Sequence, residues 1–390
     1  MRKGCGIALF LAAGLAWPGS ARAQLGRPLE TAGITWTPTV ALRDVGTDSN
    51  VYVLPQGSPD RMMTFTPSVT SKATSRLLTV SGDAIVDFVY FEKYVQERMI
   101  NRKFNGRIQA ELSRMTPFVM AAYEQGRERQ GDIDLRIQRH GRTLGGGLAL
   151  AVTAKASVEA SLLRSRTAFD GGQIFRGIEI AKSLNRRTES LNVGVRYALT
   201  SLTTLSLDIS RIRDYYQSDP TRNTDDRRYF GTLFFAPDAV IRGRAVLGYH
   251  RLRVQAPGIP FKGLLADINI GYTFRESSRF NFRYFRDTNA SYDSPFNLQT
   301  QYAIDLTQDI AGPLKATAAA SRQFMRHSEN LFINQIARRE RYDSWAVGLA
   351  FYWSTSVRST LAYDFQRRRS TLSQENFNRE RLIASLSLVL

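Results

Sequence analysis

The residues best suited to acid–base or nucleophilic chemistry are few and scattered. The chain has three histidines, His140, His250 and His327. A hydrolytic site needs a histidine beside a nucleophilic serine, with a third polar group to orient the ring. His140 lies among arginines and His327 follows Arg326, so both are predicted to be polar residues at strand ends. His250 lies on a predicted strand and could meet a serine on a neighbouring strand, but nothing in the sequence selects one. The sequence therefore predicts no catalytic site.

Metal and cofactor sites are not predicted either. The single cysteine, Cys5, lies in the N-terminal segment, so the mature chain has no thiolate ligand and no disulfide. The glycine run Gly145-Gly146-Gly147 lacks the following Lys-Ser/Thr of a phosphate loop, and it is better explained as room for a strand bend. The acidic pairs Asp132/Asp134 and Asp225/Asp226 lack the ligand count of a calcium loop.

Basic residues outnumber acidic ones in this chain. It has 390 residues with 53 Lys and Arg against 35 Asp and Glu, a formal net charge of +18. Arg2 and Lys3 precede an apolar run from Ile7 to Trp17, and Ala21-Arg22-Ala23 is a small-x-small site, a pattern typical of a secretory signal peptide cleaved after Ala23. A basic exported protein meets lipopolysaccharide phosphates, acidic polysaccharide or anionic solutes, so nucleic acid is not a predicted partner.

The elements that must position the side chains are β-strands. Within Ser190 to Ser210, apolar residues alternate with small or polar ones at a period of two. The chain after its first segment has no apolar run of about 18 residues, so a helical membrane span is not predicted. A strand of about ten residues with one apolar and one polar face suits a sheet with lipid outside and water inside. Such a sheet must close, because lipid offers no partner to an open edge.

Similar segments recur along the chain and predict an all-β fold, a transmembrane antiparallel up-and-down barrel of about 18 strands, with 16–18 as the range. Short turns and long charged loops alternate, which places the short turns in the periplasm and the long loops outside. No linker divides the chain, so residues 1–23 are predicted to be the signal peptide and residues 24–390 a single outer-membrane barrel. The last strand alternates apolar residues up to Leu390 and would be recognised by the outer-membrane assembly machinery, although the final residue of such strands is usually aromatic.

One local segment suggests a family. The loop Asp48-Ser49-Asn50-Val51-Tyr52 is followed by an acidic insert and by Thr66-Pro67-Ser68 in the next strand. This stretch, roughly Thr37 to Val69, resembles an outer-membrane β-barrel porin family that is often encoded beside exopolysaccharide genes. The resemblance implies an outer-membrane barrel. It supplies neither a transport substrate nor a functional residue.

If the apolar residues of each strand face lipid, the alternate residues face the lumen. The predicted lumen-lining charged residues are Arg107, Glu111, Arg196, Asp208, Asp267, Arg279, Arg283, Asp305, Lys315, Arg358 and Asp364. Charges of both signs could tune selectivity for hydrated solutes. The alternative is that these charges neutralise one another across neighbouring strands and only fill the interior.

Arginines also crowd the predicted outer loops. They are Arg127, Arg129, Arg164, Arg166, Arg186, Arg187, Arg227, Arg228, Arg338, Arg339, Arg341 and Arg367 to Arg369. Guanidinium groups bind phosphate bidentately, so one hypothesis is contact with lipopolysaccharide phosphate or an acidic glycan. The other is that they are solvated loop ends paired with nearby carboxylates.

The sequence thus predicts a non-enzymatic outer-membrane barrel without a cofactor. It would act as a porin-like channel for polar or anionic solutes, or as the outer-membrane barrel of an exopolysaccharide secretion system with export components as partners. The alternative is a closed barrel that serves as a surface adhesin or structural anchor through its arginine-rich loops. An outer-membrane lipid hydrolase is a third hypothesis, and it depends on His250.

Overall fold

The structure is a computed structural model of the chain. It describes residues 28–31, 33–130, 133–237, 239–255, 260–275, 277–328 and 338–390. The predicted signal peptide and its cleavage after Ala23 lie outside the described residues.

Eighteen antiparallel strands of the described chain form a closed barrel, which confirms the predicted fold and strand number. The first nine are β1 (Ile34–Asp48), β2 (Asp60–Thr74), β3 (Leu78–Phe91), β4 (Met99–Ala110), β5 (Met115–Gln130), β6 (Ile133–Ala151), β7 (Ala156–Phe169), β8 (Arg186–Ala198) and β9 (Thr203–Tyr216). The others are β10 (Thr224–Phe235), β11 (Ile241–Val254), β12 (Phe261–Phe274), β13 (Ser278–Asn289), β14 (Asn297–Ala311), β15 (Leu314–His327), β16 (Arg339–Tyr352), β17 (Val357–Ser370) and β18 (Phe377–Val389).

Each strand pairs with the strands before and after it, and the barrel closes where β18 pairs with β1. The register at this seam runs from Thr39 opposite Val389 to Asp48 opposite Arg381, and the Leu390 amide donates to the Pro38 carbonyl at 3.0 Å. The C-terminal strand therefore has the closing role that its sequence predicts. A short strand, Leu29–Thr31, pairs with the start of β1 beyond the end of β18.

Connections differ at the two ends of the barrel, as predicted. Short turns such as residues 75–77 and 312–313 join the strands at one end, and longer connections such as 49–59 and 170–185 join them at the other. The 170–185 loop contains a two-stranded ribbon, Ile174–Phe175 with Ile178–Glu179, and a short helix, α1 (Ile180–Leu184). Across the described residues, no helix is long and apolar enough to cross a bilayer.

The outer wall carries a band of exposed apolar side chains. Leu162, Leu207 and Leu264 are 60%, 61% and 67% exposed, although a protein in water would bury side chains of this kind. The residues directly before and after each of them in the same strand point to the interior, because successive side chains of a strand point to opposite faces. Aromatic residues such as Tyr249 and Trp345 lie toward the long-loop end of the band. Such a band fits a lipid surround, because only lipid makes this exposure favourable.

The predicted positions of several outer loops are wrong. Arg127 and Arg129 lie on β5, which continues with β6 far beyond the apolar band, and β8 begins at Arg186. His140, predicted at a strand end, lies within β6. The ladder continues there, with Gln125 opposite His140, and has one register shift between Glu128 and Gln130. Beyond the lipid both faces of a strand meet water or other loops, so the alternation that identifies a strand disappears although its hydrogen bonds persist.

Candidate functional site

The interior near the short turns holds a cavity of about 640 Å³. Its lining includes four residues of the predicted set, namely Arg107 on β4, Glu111 just after β4, Arg196 on β8 and Asp208 on β9. Ile108, Val195 and Leu207 alternate with them and are exposed on the outer wall. The structure therefore brings these four charged residues to one concave surface inside the barrel.

The charges on this surface are only partly neutralised. Arg196 forms a 2.8 Å ion pair with Glu159. Arg107 donates to the Gln109 side chain at 2.8 and 3.1 Å and lies 3.9 Å from the centre of the Phe118 ring. Within the described chain, Arg107 has no carboxylate partner at ion-pair distance. Its guanidinium group therefore keeps a charge that no carboxylate of the described chain pairs with directly.

A second group of the predicted residues is neutralised by partners inside the barrel. Asp267 forms an ion pair with Arg244, Lys315 pairs with Asp309 at 2.9 Å, and Asp364 pairs with Arg381 at 2.7 Å. Asp305 accepts a 3.3 Å hydrogen bond from the Asn281 side chain. For these three ion pairs, the structure agrees with the alternative drawn from the sequence, in which opposite charges on neighbouring strands neutralise one another.

The remaining arginines of the set have no carboxylate partner among the described residues. Arg279 and Arg283 lie on β13 opposite the neutral residues Thr273 and Asn269 of β12, and both side chains are exposed to the interior. Arg358 lies 5.2 Å from the centre of the Tyr352 ring. The β12–β13 wall thus presents two guanidinium groups that are free to bind an anion.

Where the long loops meet at the other end, a buried network of charged side chains crosses the interior. Arg368 on β17 has a side chain only 1% exposed and donates two 2.6 Å hydrogen bonds to the Asp134 carboxylate on β6. These strands are not neighbours in the wall, so the contact spans the mouth of the barrel. The mouth network consists of Asp134, Arg176, Tyr292, Asp293, Arg338, Glu340, Arg368 and Glu375.

Tyr292 joins three parts of the mouth network. Its hydroxyl accepts hydrogen bonds from Arg338 at 3.0 Å and from Arg176 at 3.1 Å. Arg176 belongs to the 170–185 loop and also forms an ion pair with Glu375 in the 371–376 loop. These contacts tie together three loops, 170–185, 290–296 and 371–376, and also Arg338, which directly precedes β16.

Apolar packing holds the 170–185 loop over the mouth. Ile180 of α1 is fully buried in a cluster with Ile133 and Ile137 of β6 and with the Tyr292 ring. Arg222 in the 217–223 loop donates to the Tyr292 carbonyl at 3.2 Å. The loop folds inward, a feature that the strand pattern of the sequence does not predict.

Three carboxylates surround Arg338 beyond the apolar band. Its side-chain nitrogens lie 2.9 Å from Glu340, 3.0 Å from Asp293 and 3.7 Å from Glu375. Burial raises the pKa of Glu340 to about 6, and the hydrogen bond with Glu375 adds to this rise while Arg338 opposes it. Burial also acts to raise the pKa of Glu375, but the hydrogen bond with Glu340 and the charges of Arg338 and Arg176 bring it below its ordinary value. Of the two glutamates, Glu340 therefore binds a proton more readily.

The histidines do not form a hydrolytic arrangement. His250 bonds to Asp226 at 3.2 Å, and among the described residues no serine hydroxyl bonds to it. The Ser291 hydroxyl donates to Asp293 at 2.8 Å and lies 3.4 Å from Nδ1 of His327. Ser291 and His327 are 36 positions apart, so the sequence does not predict that they are close. Asp293 lies 3.6 Å from the same nitrogen. At the other ring nitrogen, Nε2, the Glu340 carboxylate lies 3.9 Å away, which is beyond hydrogen-bond distance. Because the Ser291 hydroxyl gives its proton to Asp293 and no acid of the described chain bonds to Nε2, this cluster lacks the hydrogen bonds of a Ser-His-Asp triad and is better described as part of the mouth packing.

The segment that carries the family resemblance has a structural role. Asp48 is fully buried, accepts from the Asn50 amide at 2.9 Å and pairs with Arg379 of β18. The Asn50 side chain donates to the carbonyls of Leu54 and Asn378 at 2.7 and 2.9 Å. These residues fix the first long loop to the last strand.

Comparisons with known proteins place the fold. No protein-family model and no curated protein matches the chain in sequence. Among solved structures, it is similar to OccK2 (OpdF) of Pseudomonas aeruginosa, with a TM-score of 0.54, 12% identity and coverage of 91% of this chain and 98% of that one. OccK2 has also been solved in complex with glucuronate.

Two further structures agree with this comparison. The outer membrane protein OpdK of Pseudomonas aeruginosa has a TM-score of 0.51 at 11% identity, with coverage of 91% of this chain and 99% of that one. OccAB3 of Acinetobacter baumannii has a TM-score of 0.50 at 8% identity, with coverage of 91% and 99%. The chain therefore has the fold of these outer-membrane porins, a closed antiparallel barrel of 18 strands.

Proposed function

We propose that the protein is an outer-membrane diffusion channel for small polar anions. The observation that carries this proposal is the position of Arg279 and Arg283, which project into the barrel without a carboxylate partner in the described chain. A guanidinium group binds a carboxylate through two parallel hydrogen bonds and so replaces part of its hydration shell. Because both side chains are exposed, binding stays weak enough for the solute to leave, as conduction requires.

The fold and its neighbours support a sugar-sized cargo. OccK2, which shares the barrel architecture, binds glucuronate, a sugar acid with one carboxylate. The cavity near Arg107, Glu111, Arg196 and Asp208 offers hydrogen-bonding side chains of both signs on the way through the barrel. We therefore propose that Arg279, Arg283 and this cavity line the route of a hydroxylated anion.

The alternative cargo is a polymer, an exopolysaccharide chain. An exopolysaccharide chain would need a wide entrance, whereas loops joined by the mouth network cross the entrance here. A secretion role would thus require the mouth network to open when export components bind. The buried ion pairs favour small solutes as the routine cargo.

The test compares two arginines of the same strand in liposome swelling. Arg283 points into the barrel, whereas Arg286 points outward and donates to Thr300 at 3.2 Å. We expect Arg283→Gln to slow the entry of glucuronate several-fold relative to glucose, and Arg286→Gln to leave this ratio unchanged. Equal effects of the two substitutions would argue against an anion route along β13.

The closed-anchor alternative has one observation in its favour, the mouth network itself. It predicts that a folded sample admits neither glucose nor glucuronate. It also predicts glycan binding through outward-facing arginines such as Arg367 and Arg369, since Arg368 is buried. Glycan binding that survives Arg367→Gln with Arg369→Gln, in a barrel that conducts, would eliminate this alternative.

A further inference from the structure

Four basic side chains stand in one row on the outer wall of the barrel. Arg211 of β9 lies opposite Arg227 of β10, Arg227 lies opposite Arg251 of β11, and Arg251 lies opposite Lys262 of β12. Directly opposite residues of antiparallel strands have their Cβ atoms about 5 Å apart. These four residues, named the cationic patch, therefore form a continuous strip of positive charge.

The cationic patch borders the apolar band. Two residues further down each strand lie Ile209, Tyr229, Tyr249 and Leu264, which are opposite one another and are 44% to 67% exposed. Two residues of a strand span about 7 Å. The cations thus lie just above the apolar side chains, on the side of the long loops, at the depth where lipid headgroups begin.

Like charges in direct opposition destabilise a sheet unless something compensates them. Arg211 is compensated, because it forms two hydrogen bonds of 2.9 and 2.6 Å with Asp225. Arg227, Arg251 and Lys262 have no carboxylate at ion-pair distance among the described residues. The described chain therefore leaves three adjacent cations on its outer wall without an ion-pair partner, and the more distant Asp225 acts on only one of them, Arg227.

The inner face of the same strand shows that this is not a shortage of carboxylates. Arg228, the next residue along β10, points inward and forms ion pairs of 2.7 Å with both Asp226 and Asp287. The neighbouring Arg227 points outward and has none. An ion-pair partner for Arg227, Arg251 and Lys262 must therefore come from the surroundings.

A second row repeats the pattern on neighbouring strands. Arg142 of β6 lies opposite Arg166 of β7, and Arg166 lies opposite Arg187 of β8. All three are exposed. Arg187 has a carboxylate neighbour, Glu189 at 3.5 Å, whereas Arg166 has none among the described residues. The excess of positive charge thus continues around the wall.

We propose that the cationic patch is a binding site for the phosphate groups of outer-leaflet lipid. The tyrosine and leucine row contacts the acyl chains, and the guanidinium groups of Arg227 and Arg251 bind a phosphate bidentately with Lys262 beside it. A lipid supplies both parts at once, with its phosphate at the level of the cations and its chains at the level of the apolar row. A soluble phosphate compound would contact only the cations.

The test uses purified, folded protein in detergent and diphosphorylated lipid A as the probe. The patch variant carries Arg227→Gln, Arg251→Gln and Lys262→Gln. The matched control carries Arg76→Gln, Arg114→Gln and Lys155→Gln, which removes the same charge from exposed short turns at the other end. Heat-dependent gel mobility verifies that each variant is folded, and native mass spectrometry measures lipid occupancy.

We expect the patch variant to bind lipid A about 10- to 100-fold more weakly than the original protein, with the control unchanged. A phosphate-free lipid A derivative should bind the original protein as weakly as lipid A binds the patch variant. Inorganic pyrophosphate in excess should displace little lipid. Equal lipid A affinity in the patch variant and the control, equal binding of the phosphate-free lipid, or efficient displacement by pyrophosphate would each overturn the proposal.

Discussion

Adjacent arginines in this barrel have opposite environments. Arg367 and Arg369 point outward from β17, whereas Arg368 between them is buried in the mouth network. The pair Arg227 and Arg228 on β10 is divided in the same way. The period of two of a strand is the cause, so a run of basic residues in the sequence is divided between a structural role inside and a free charge outside.

Arg368 is expected to hold the mouth loops together. Removing it leaves the Asp134 carboxylate, which is 22% exposed, with only the 3.7 Å contact to Arg176, so local closure should weaken by roughly 1–3 kcal/mol. We expect Arg368→Met to accelerate protease cleavage within residues 371–376, and Arg367→Met, on the outer face of the same strand, to leave the cleavage rate close to the original. Identical cleavage rates in the two variants would contradict a closing role for Arg368.

Glu340 should make mouth closure depend on pH. Its pKa is raised from 4.5 to about 6, so between these values the folded state keeps a proton that the unfolded state has released. Stability of the mouth network therefore falls as pH rises through this window. The lowered pKa of Asp293 acts only in stronger acid, where its contribution is lost as pH falls.

Hydrogen exchange of residues 371–376 measures this dependence. After correction for intrinsic exchange rates, we expect less protection at about pH 7.5 than at about pH 5. Glu340→Gln, a neutral side chain of the same shape, should remove the difference, whereas Glu111→Gln near the short turns should keep it. A difference that persists in Glu340→Gln would show that another group titrates.

At the scale of elements, the alternation of side chains explains what the sequence could predict. The hairpin within Ser190 to Ser210 has a regular period of two, and it corresponds to β8 and β9 as the structure shows them. The ends of the strands beyond the lipid could not be predicted in this way. Around Arg127 and Arg129 on β5, apolar residues no longer alternate with polar ones. Lipid contact imposes the pattern, and where the lipid ends the pattern ends.

The seam between β1 and β18 should be sensitive to a single methyl group. A Cβ atom at Gly46 would overlap the backbone carbonyl oxygen of Leu382 on β18, whereas a Cβ atom at Gly106 on β4 would meet no atom within 4 Å. We expect Gly46→Ala to lower the yield of heat-resistant folded barrel on a gel, because the two strands must separate to make room. Gly106→Ala is the matched control and should fold like the original protein. Normal folding of Gly46→Ala would mean that the seam relaxes without cost.

At the scale of the molecule, the mouth is what the sequence could not reveal. Asp134 and Arg368 are 234 positions apart, and the residues around each of them do not indicate that the two side chains meet. Only the closed barrel brings the ends of β6 and β17, which hold them, to the same place. The charged residues predicted for the lumen needed no such contact, because their place follows from alternation along a single strand. Whether they line a route for solutes is a functional proposal that needs its own test.

The proposed function requires solutes to pass through the barrel interior. Single-channel recording in a planar bilayer detects such passage, with protein whose folding has been verified by heat-dependent gel mobility. We predict stepwise currents at either polarity and, under a potassium chloride gradient, a reversal potential that reports preference for the anion. A folded, inserted sample that shows no conductance steps, in the original protein and in Arg368→Met alike, would contradict it.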